Sequence, residues 1–251
     1  VADPDSLIDA PPAKRLNKYI AETGFCSRRE ADRLVAERRV TVNGEVAGIG
    51  TQVEEGDEVR IDGDVLRVRK VKPGKRRHVY IALNKPVGIT CTTEESVKGN
   101  IVDFVGHEQR IFPIGRLDKD SEGLILLTSN GDIVNQVLRK ENRHEKEYLV
   151  AVNKPVTEEF LRGMARGGMW IHGQQTLPCR AYKHGPYGFR IVLTQGLNRQ
   201  IRLMAAQFGY RVKQLRRIRI DNLKLGELKP GRWRNLTDAE LRGLLPEQTE
   251  W

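Results

Sequence analysis

Two apolar segments, Ile111-Phe112-Pro113-Ile114 and Leu124-Ile125-Leu126-Leu127, enclose a dense charged stretch, Gly115-Arg116-Leu117-Asp118-Lys119-Asp120-Ser121-Glu122-Gly123. No other feature restricts the fold as strongly. The second segment is short, continuous and bounded by Gly123 and Ser129, the pattern of a fully buried strand. A charged loop fixed between two elements that must pack in a core is a rigid mount for a carboxylate. Composition alone would make Arg116, Asp118, Lys119 and Asp120 a solvated loop face. The rest of the chain has to decide between these readings.

At 251 residues the chain can bury a sizeable core and form two domains. A formal net charge of +10 favours a polyanionic partner such as nucleic acid. With aromatics at 6%, a binding surface built wholly from stacking platforms is not expected. Cys26, Cys91 and Cys179 are far apart and lack C-x-x-C spacing, which fits a reducing cytoplasm and neither a disulfide framework nor a zinc site. The five histidines have no metal-ligand spacing either. No apolar run reaches the roughly 18 residues that a membrane helix needs. The first residues, with Asp3, Asp5 and Asp9, do not form a signal peptide.

Residues 1–13 read as a disordered lead, acidic and ending in prolines. Residues 14–68 read as a small domain. Leu16 and Ile20 suggest a short helix ended by Gly24. Ser27-Arg28-Arg29-Glu30 is a capping box for a second helix that buries Ala31, Leu34 and Val35 and turns Arg28, Arg29, Arg33 and Arg38 outward. Asn43-Gly44 and Asp62-Gly63 mark two hairpins. Charge is lopsided here: residues 14–44 hold eight basic and four acidic side chains, residues 45–68 two and seven. Only the first half can face phosphates. Residues 69–78 carry six Lys or Arg around Pro73-Gly74 and read as a basic linker.

The second domain, residues 79–251, opens with a strand over 79–83 and a turn, Lys85-Pro86-Val87-Gly88. Ser129 or Asn130 can cap a helix with Ile133, Val134, Val137 and Leu138 on its apolar face. A strand over 146–152 carries Tyr148, and Thr157 caps a helix burying Phe160, Leu161 and Met164. Strands are expected near 177–182 and 189–195, and a last strand region ends at Trp233. Asn198 caps a helix with Ile201, Met204, Ala205 and Phe208 at helical spacing. Arg199 and Arg202 crowd the start of that helix, where its dipole disfavours cations, so a nearby anion is expected. Residues 196–220 hold seven basic side chains and no acid, Arg216 among them, and suggest an RNA groove. Thr237-Asp238-Ala239-Glu240 is a second capping box. Strands and helices mix without regular alternation, which favours an α+β fold with a mixed, largely antiparallel sheet.

Taken with Asn84-Lys85-Pro86-Val87-Gly88, Lys146-Glu147-Tyr148 and Gly196-Leu197-Asn198-Arg199-Gln200-Ile201-Arg202, the Gly115–Thr128 stretch resembles the ordered motif set of the RNA pseudouridine synthases. The first domain resembles the S4 RNA-binding domain, and flanking stretches resemble the large-subunit, F-type branch of that family. The resemblance implies conversion of a uridine in 23S rRNA to pseudouridine, by breaking N1–C1′ and joining C5 to C1′. The partner is 23S rRNA of the large subunit, with tRNA as a second substrate. A cytoplasmic monomer is expected, with neither cofactor nor metal. The base must be flipped from its stack to be handled. Asp118 is the implied catalytic carboxylate, as nucleophile or base, in preference to Asp103, Asp120 and Asp132. Arg202 is the implied partner that keeps Asp118 ionised, with Arg199 as the runner-up. Tyr148 matches the family tyrosine, which the resemblance implies lies on the extruded uracil. Arg116, Lys146, Arg199 and Arg216 are assigned to RNA, with Arg28, Arg29 and Arg33 from the S4 face. Lys85 is placed with them, although its motif is mainly structural in the family. The competing readings are a non-catalytic S4-type ribosome-binding protein, a synthase acting on another rRNA or tRNA uridine, and a nucleic-acid glycosidic hydrolase.

Overall fold

The computed structural model describes residues 13–67, 78–131, 133 and 144–245. The expected lead and basic linker lie almost wholly outside the described residues. The chain forms two compact units, Val1–Lys75 and Arg76–Trp251.

In the first unit, β1 (Lys14–Arg15) runs into α1 (Leu16–Glu22), which is followed by α2 (Arg28–Ala36). The Ser27 side chain accepts the Glu30 amide at 3.0 Å, so half of the expected capping box forms. The Glu30 carboxylate turns instead to Arg33, at 2.5 Å. Strands β2 (Val40–Val42) and β3 (Glu45–Val46) meet through Asn43 and Gly44, both at positive φ, as this hairpin turn demands. β4 (Gln52–Val53) pairs with β1, and β5 (Val59–Ile61) joins β6 (Asp64–Val65) through Asp62-Gly63. Leu16, Ile20, Ala31, Leu34, Val35, Val40, Val59 and Ile61 form the core of this unit. Arg28, Arg29 and Arg33 are exposed on α2.

The second unit is built on β7 (Tyr80–Lys85), α3 (Ile101–Val105), β8 (Phe112–Ile114), β9 (Glu122–Thr128), β10 (Lys146–Val152) and α4 (Glu158–Arg166). A short hairpin, β11 (Trp170–Ile171) and β12 (Gln174–Gln175), precedes β13 (Arg180–Lys183) and β14 (Gly188–Leu193). Then come α5 (Gln200–Gln207), β15 (Val212–Ile220), β16 (Leu223–Lys224), β17 (Trp233–Asn235) and α6 (Asp238–Leu244). Among the described residues one nine-stranded sheet has the central order β13-β14-β10-β15-β9-β7-β17. Its β9–β15 pair is parallel and its other pairs are antiparallel. This is the mixed, largely antiparallel α+β arrangement.

β9 explains its own composition. Ile125 and Leu127 enter one core with α3, α4 and α5, while Leu124 and Leu126 enter a second core with α6. A strand covered on both faces has no polar alternation to show. Gly123 is required where β9 meets β15, because a Cβ there would lie 2.2 Å from the Arg217 carbonyl oxygen.

Two expectations need correction. Asn198 does not cap α5: the N-cap is Arg199, left-handed at φ 52 with no side-chain cap, and Phe208 lies just past the helix end. Trp233 begins its strand rather than ending it, since β17 must pair with β7 from Leu83 back to Ile81. The helix expected after Asn130 lies outside the described residues except for Gly131 and buried Ile133.

Candidate active site

The loop between β8 and β9 is clamped from several sides. The Gly88 amide donates to the Lys119 carbonyl at 2.7 Å, and the Leu117 amide to Cys91 Sγ at 3.4 Å. The Ser121 amide closes a turn onto the Asp118 carbonyl at 3.0 Å. From α5, Arg202 Nη2 donates to the Asp120 carbonyl at 2.9 Å and to Ser121 Oγ at 3.2 Å. Arg199 forks onto the Asp120 carboxylate with two bonds of 3.0 Å. That carboxylate is the anion which offsets two cations at the start of α5.

Asp118 is the carboxylate of this loop left without a fork. Its side chain is 27% exposed, and it lines an open cavity of about 510 Å³ with Cys91, Arg116, Leu117, Asp120 and Arg199. Pockets for small ligands span roughly 300–1,000 Å³, so a single nucleotide is within scale.

The expected Arg202–Asp118 fork is not present. The nearest cation to Asp118 is Arg199, with Nη1 at 3.9 Å. Arg202 is drawn to Asp120 and Ser121 instead, because the turn after Asp118 presents a carbonyl, a carboxylate and a hydroxyl to it together. Its Nε is buried without a hydrogen-bond partner, 3.5 Å from Asp120 Oδ2. Arg199's bonds hold the Asp120 carboxyl below the usual carboxylate range.

Lys85 cannot touch RNA, and its place among the RNA contacts is corrected. The side chain is fully buried, with Nζ donating to the Pro86 and Ile89 carbonyls at 2.9 Å each. Burial pushes its pKa down, and the nearby charges of Asp118, Asp120 and Glu122 oppose that push. It ties together the Pro86–Ile89 turn, whose Gly88 amide bonds the Asp118 loop.

Tyr148 is 9% exposed and lies in the same core as Cys91 and Leu117, which line the cavity. Lys146 is half-buried and donates to the His144 carbonyl at 3.2 Å. Burial lowers its pKa, and the charge of Arg217 adds to this. Arg116 is exposed at the cavity, and Arg216 is half-buried on β15. Arg28, Arg29 and Arg33 belong to the other unit. Among the rival acids, Asp103 is tied to Asn100 at the start of α3, and Asp132 lies outside the described residues. Residue spacing missed Arg217, a buried guanidinium on β15. Its signal was an arginine two places after Leu215, in phase with the inward face of the strand. Among the described residues no cluster of His, Cys, Asp or Glu could hold a metal ion. No helix among them is long and apolar enough to cross a membrane.

A carboxylate held open on a braced loop that leads into an inner strand of a mixed sheet, in a chain whose other unit carries an arginine-bearing helix, fits the class of RNA-modifying enzymes. Comparison with known proteins gives the family: the RNA pseudouridylate synthase model matches residues 79–207 and the S4 domain model residues 14–59, and the chain belongs to the S4-bearing RNA pseudouridine synthases. It is 55% identical, over 95% of its length and 78% of the relative's, to the dual-specificity RNA pseudouridine synthase RluF of Escherichia coli (strain K12). It is 34% identical to the ribosomal large subunit pseudouridine synthase B of Bacillus subtilis (strain 168), over 92% of this chain and 95% of that one. A crystal structure of a pseudouridylate synthase superimposes with a TM-score of 0.65 at 29% identity, covering 92% of this chain and 99% of the other. The enzyme isomerises uridine in RNA.

Proposed function

We infer that the chain converts a uridine at the F-type position of 23S rRNA to pseudouridine, with a tRNA uridine as second substrate. The names of the two relatives support this reading, one dual-specific and the other a large-subunit enzyme. The observation that carries the mechanism is Asp118 itself, open to a cavity of nucleotide size on a loop braced by hydrogen bonds from Gly88, Ser121 and Arg202. Its carboxylate acts at the ribose, either adding an oxygen to C1′ or taking a sugar proton. Both routes break N1–C1′, let the uracil turn, and join C5 to C1′, after which the C5 proton leaves and N1 takes one up. Tyr148 lies against the uracil. Arg116, Lys146 and Arg199 hold the backbone, and no cofactor takes part. Arg202 serves the carboxylate indirectly, by bracing the turn that carries it.

Asp118→Asn is nearly isosteric and keeps the loop. It is expected to abolish tritium release from 5-tritiated uridine in an unmodified 23S rRNA transcript, while the Kd for that RNA stays within about twofold. Normal turnover by this variant would remove Asp118 from the chemistry. Site-specific mapping of pseudouridine in the transcript, and in tRNA, checks the choice of target.

A further inference from the structure

Arg217 is 4% exposed. Its Nε donates to the Leu124 carbonyl at 2.7 Å, and its Nη2 is buried with no partner. A guanidinium cannot discard its proton, and a buried charge without a counter-charge is strongly unfavourable. The same strand shows that the fold can supply carboxylates where they are used. Two residues on, Arg219 bonds Glu147 at 2.7 Å and Glu145 at 3.0 Å. Arg217 has no such carboxylate among the described residues. Its position is equally specific. It pairs with Tyr148 across β10–β15 and with Gly123 across β9–β15, at the point where the Asp118 loop enters the sheet. Leu215, on the same face two residues earlier, shares a core with Tyr148, Leu117 and Cys91, and the last two line the cavity. The charge of Arg217 reaches the Cys91 thiol.

We propose that Arg217 is a positioning residue of the isomerisation: its uncompensated guanidinium supplies the positive potential that receives the negative charge shed onto the uracil ring. This rests on the function inferred above. When N1–C1′ breaks, its electron pair stays on the base, whether Asp118 adds to C1′ or takes a ribose proton. The base remains an anion until C5 bonds to C1′, which neutralises it; the C5 proton then leaves to a base as N1 takes one up. A fixed cation in a dry site meets that charge without reorganising, whereas the free protein has nothing there to neutralise.

Arg217→Gln keeps a donor for the Leu124 carbonyl and removes the charge; Arg217→Lys keeps the charge. Single-turnover rates would be read with the full chain and saturating 23S rRNA transcript, carrying either uridine or 5-fluorouridine, whose base leaves as a more stable anion. With uridine, Arg217→Gln is expected to lose about 100-fold in rate at unchanged RNA affinity, and Arg217→Lys about tenfold or less. With 5-fluorouridine, both losses shrink. Equal losses in the two variants, independent of the base, would mean a tether for β9 only and would overturn the proposal. If Arg217→Gln melts early by circular dichroism, the two-base comparison with Arg217→Lys alone decides the matter in the same way. A wild-type chain that leaves both nucleosides intact overturns the parent reading. A wild-type chain that is active, with base-independent losses in the variants, overturns only the role of Arg217.

Discussion

Arg199 and Arg202 lie three positions apart, and the structure gives them different work. Arg199 sits at a left-handed N-cap, is largely exposed, and holds only the Asp120 side chain and the edge of Asp118. Arg202 is mostly buried and grips the backbone of the turn. A phosphate can displace a carboxylate from an exposed guanidinium, whereas a backbone clamp has no such exchange. Arg199→Ala is therefore expected to weaken RNA binding and to flatten the dependence of log K on log salt by about 0.7–0.9, the effect of one lost phosphate contact, with little change at saturating RNA. Arg202→Lys is expected to leave binding alone and to lower the saturated rate at least about tenfold, because a point charge cannot hold carbonyl and hydroxyl together. Titrations at several salt concentrations, beside single-turnover rates, separate the two. The family resemblance brought both arginines to the loop in advance, and their crowding at a helix start called for an anion. Which of them would face Asp118 depended on the turn Asp118–Ser121, whose exposed acceptors no linear pattern displays.

At the level of elements, one four-residue pattern has two outcomes. Thr237-Asp238-Ala239-Glu240 closes as a full capping box, and Glu240 also forks Arg234 at 2.8 and 2.6 Å. Ser27-Arg28-Arg29-Glu30 closes by half, because Arg33 one turn on takes the Glu30 carboxylate. The pattern located both helix starts; competition from a neighbouring cation decided how many bonds each obtained. The central apolar run was legible for the same reason that β9 is stable, namely burial on both faces. Arg217 was not, because an arginine in a basic strand is ordinarily taken as exposed, even though it stands in phase with buried Leu215; the register break lies beyond it, between Arg217 and Arg219. The hydrogen bonds from Arg234 hold the Glu240 carboxyl at about 2, against an ordinary value of 4.5. Since the folded value is the lower one, the added stability is complete above about pH 4.5 and disappears as pH falls towards about 2. Glu240→Gln should cost about 1 kcal/mol at neutral pH, partial exposure of the pair keeping the figure modest. Urea melts of wild type and variant should converge as pH approaches 2; a gap of constant size would show that the ion pair contributes nothing.

For the molecule as a whole, charge is the property that crosses from one unit to the other. From Gly196 to Ile220 the chain has seven Lys or Arg and no acid, while α2 offers Arg28, Arg29 and Arg33 from the S4 unit. This basic run was visible in the sequence, but which of its cations are already neutralised was not. Arg219 and Arg199 are held by carboxylates, and Arg33 lies 2.5 Å from Glu30 and 3.8 Å from Glu37. Arg29 makes no ion pair among the described residues, so of the α2 arginines it has the contrasting environment to Arg33 on the same exposed face. Counter-ions are released by charges that face phosphate, and a cation already paired contributes less. Arg29→Gln is then expected to weaken RNA binding severalfold and to reduce the salt slope by roughly 0.7–0.9, with Arg33→Gln changing both by less than half as much. Neither substitution should alter the single-turnover rate at saturating RNA, because the S4 unit carries none of the groups around Asp118. Filter binding between 50 and 200 mM salt, roughly the range over which such contacts are usually resolved, would rank the two. Equal slopes for both variants and the wild type would place the RNA away from α2 and leave the synthase unit to supply the electrostatic attraction by itself.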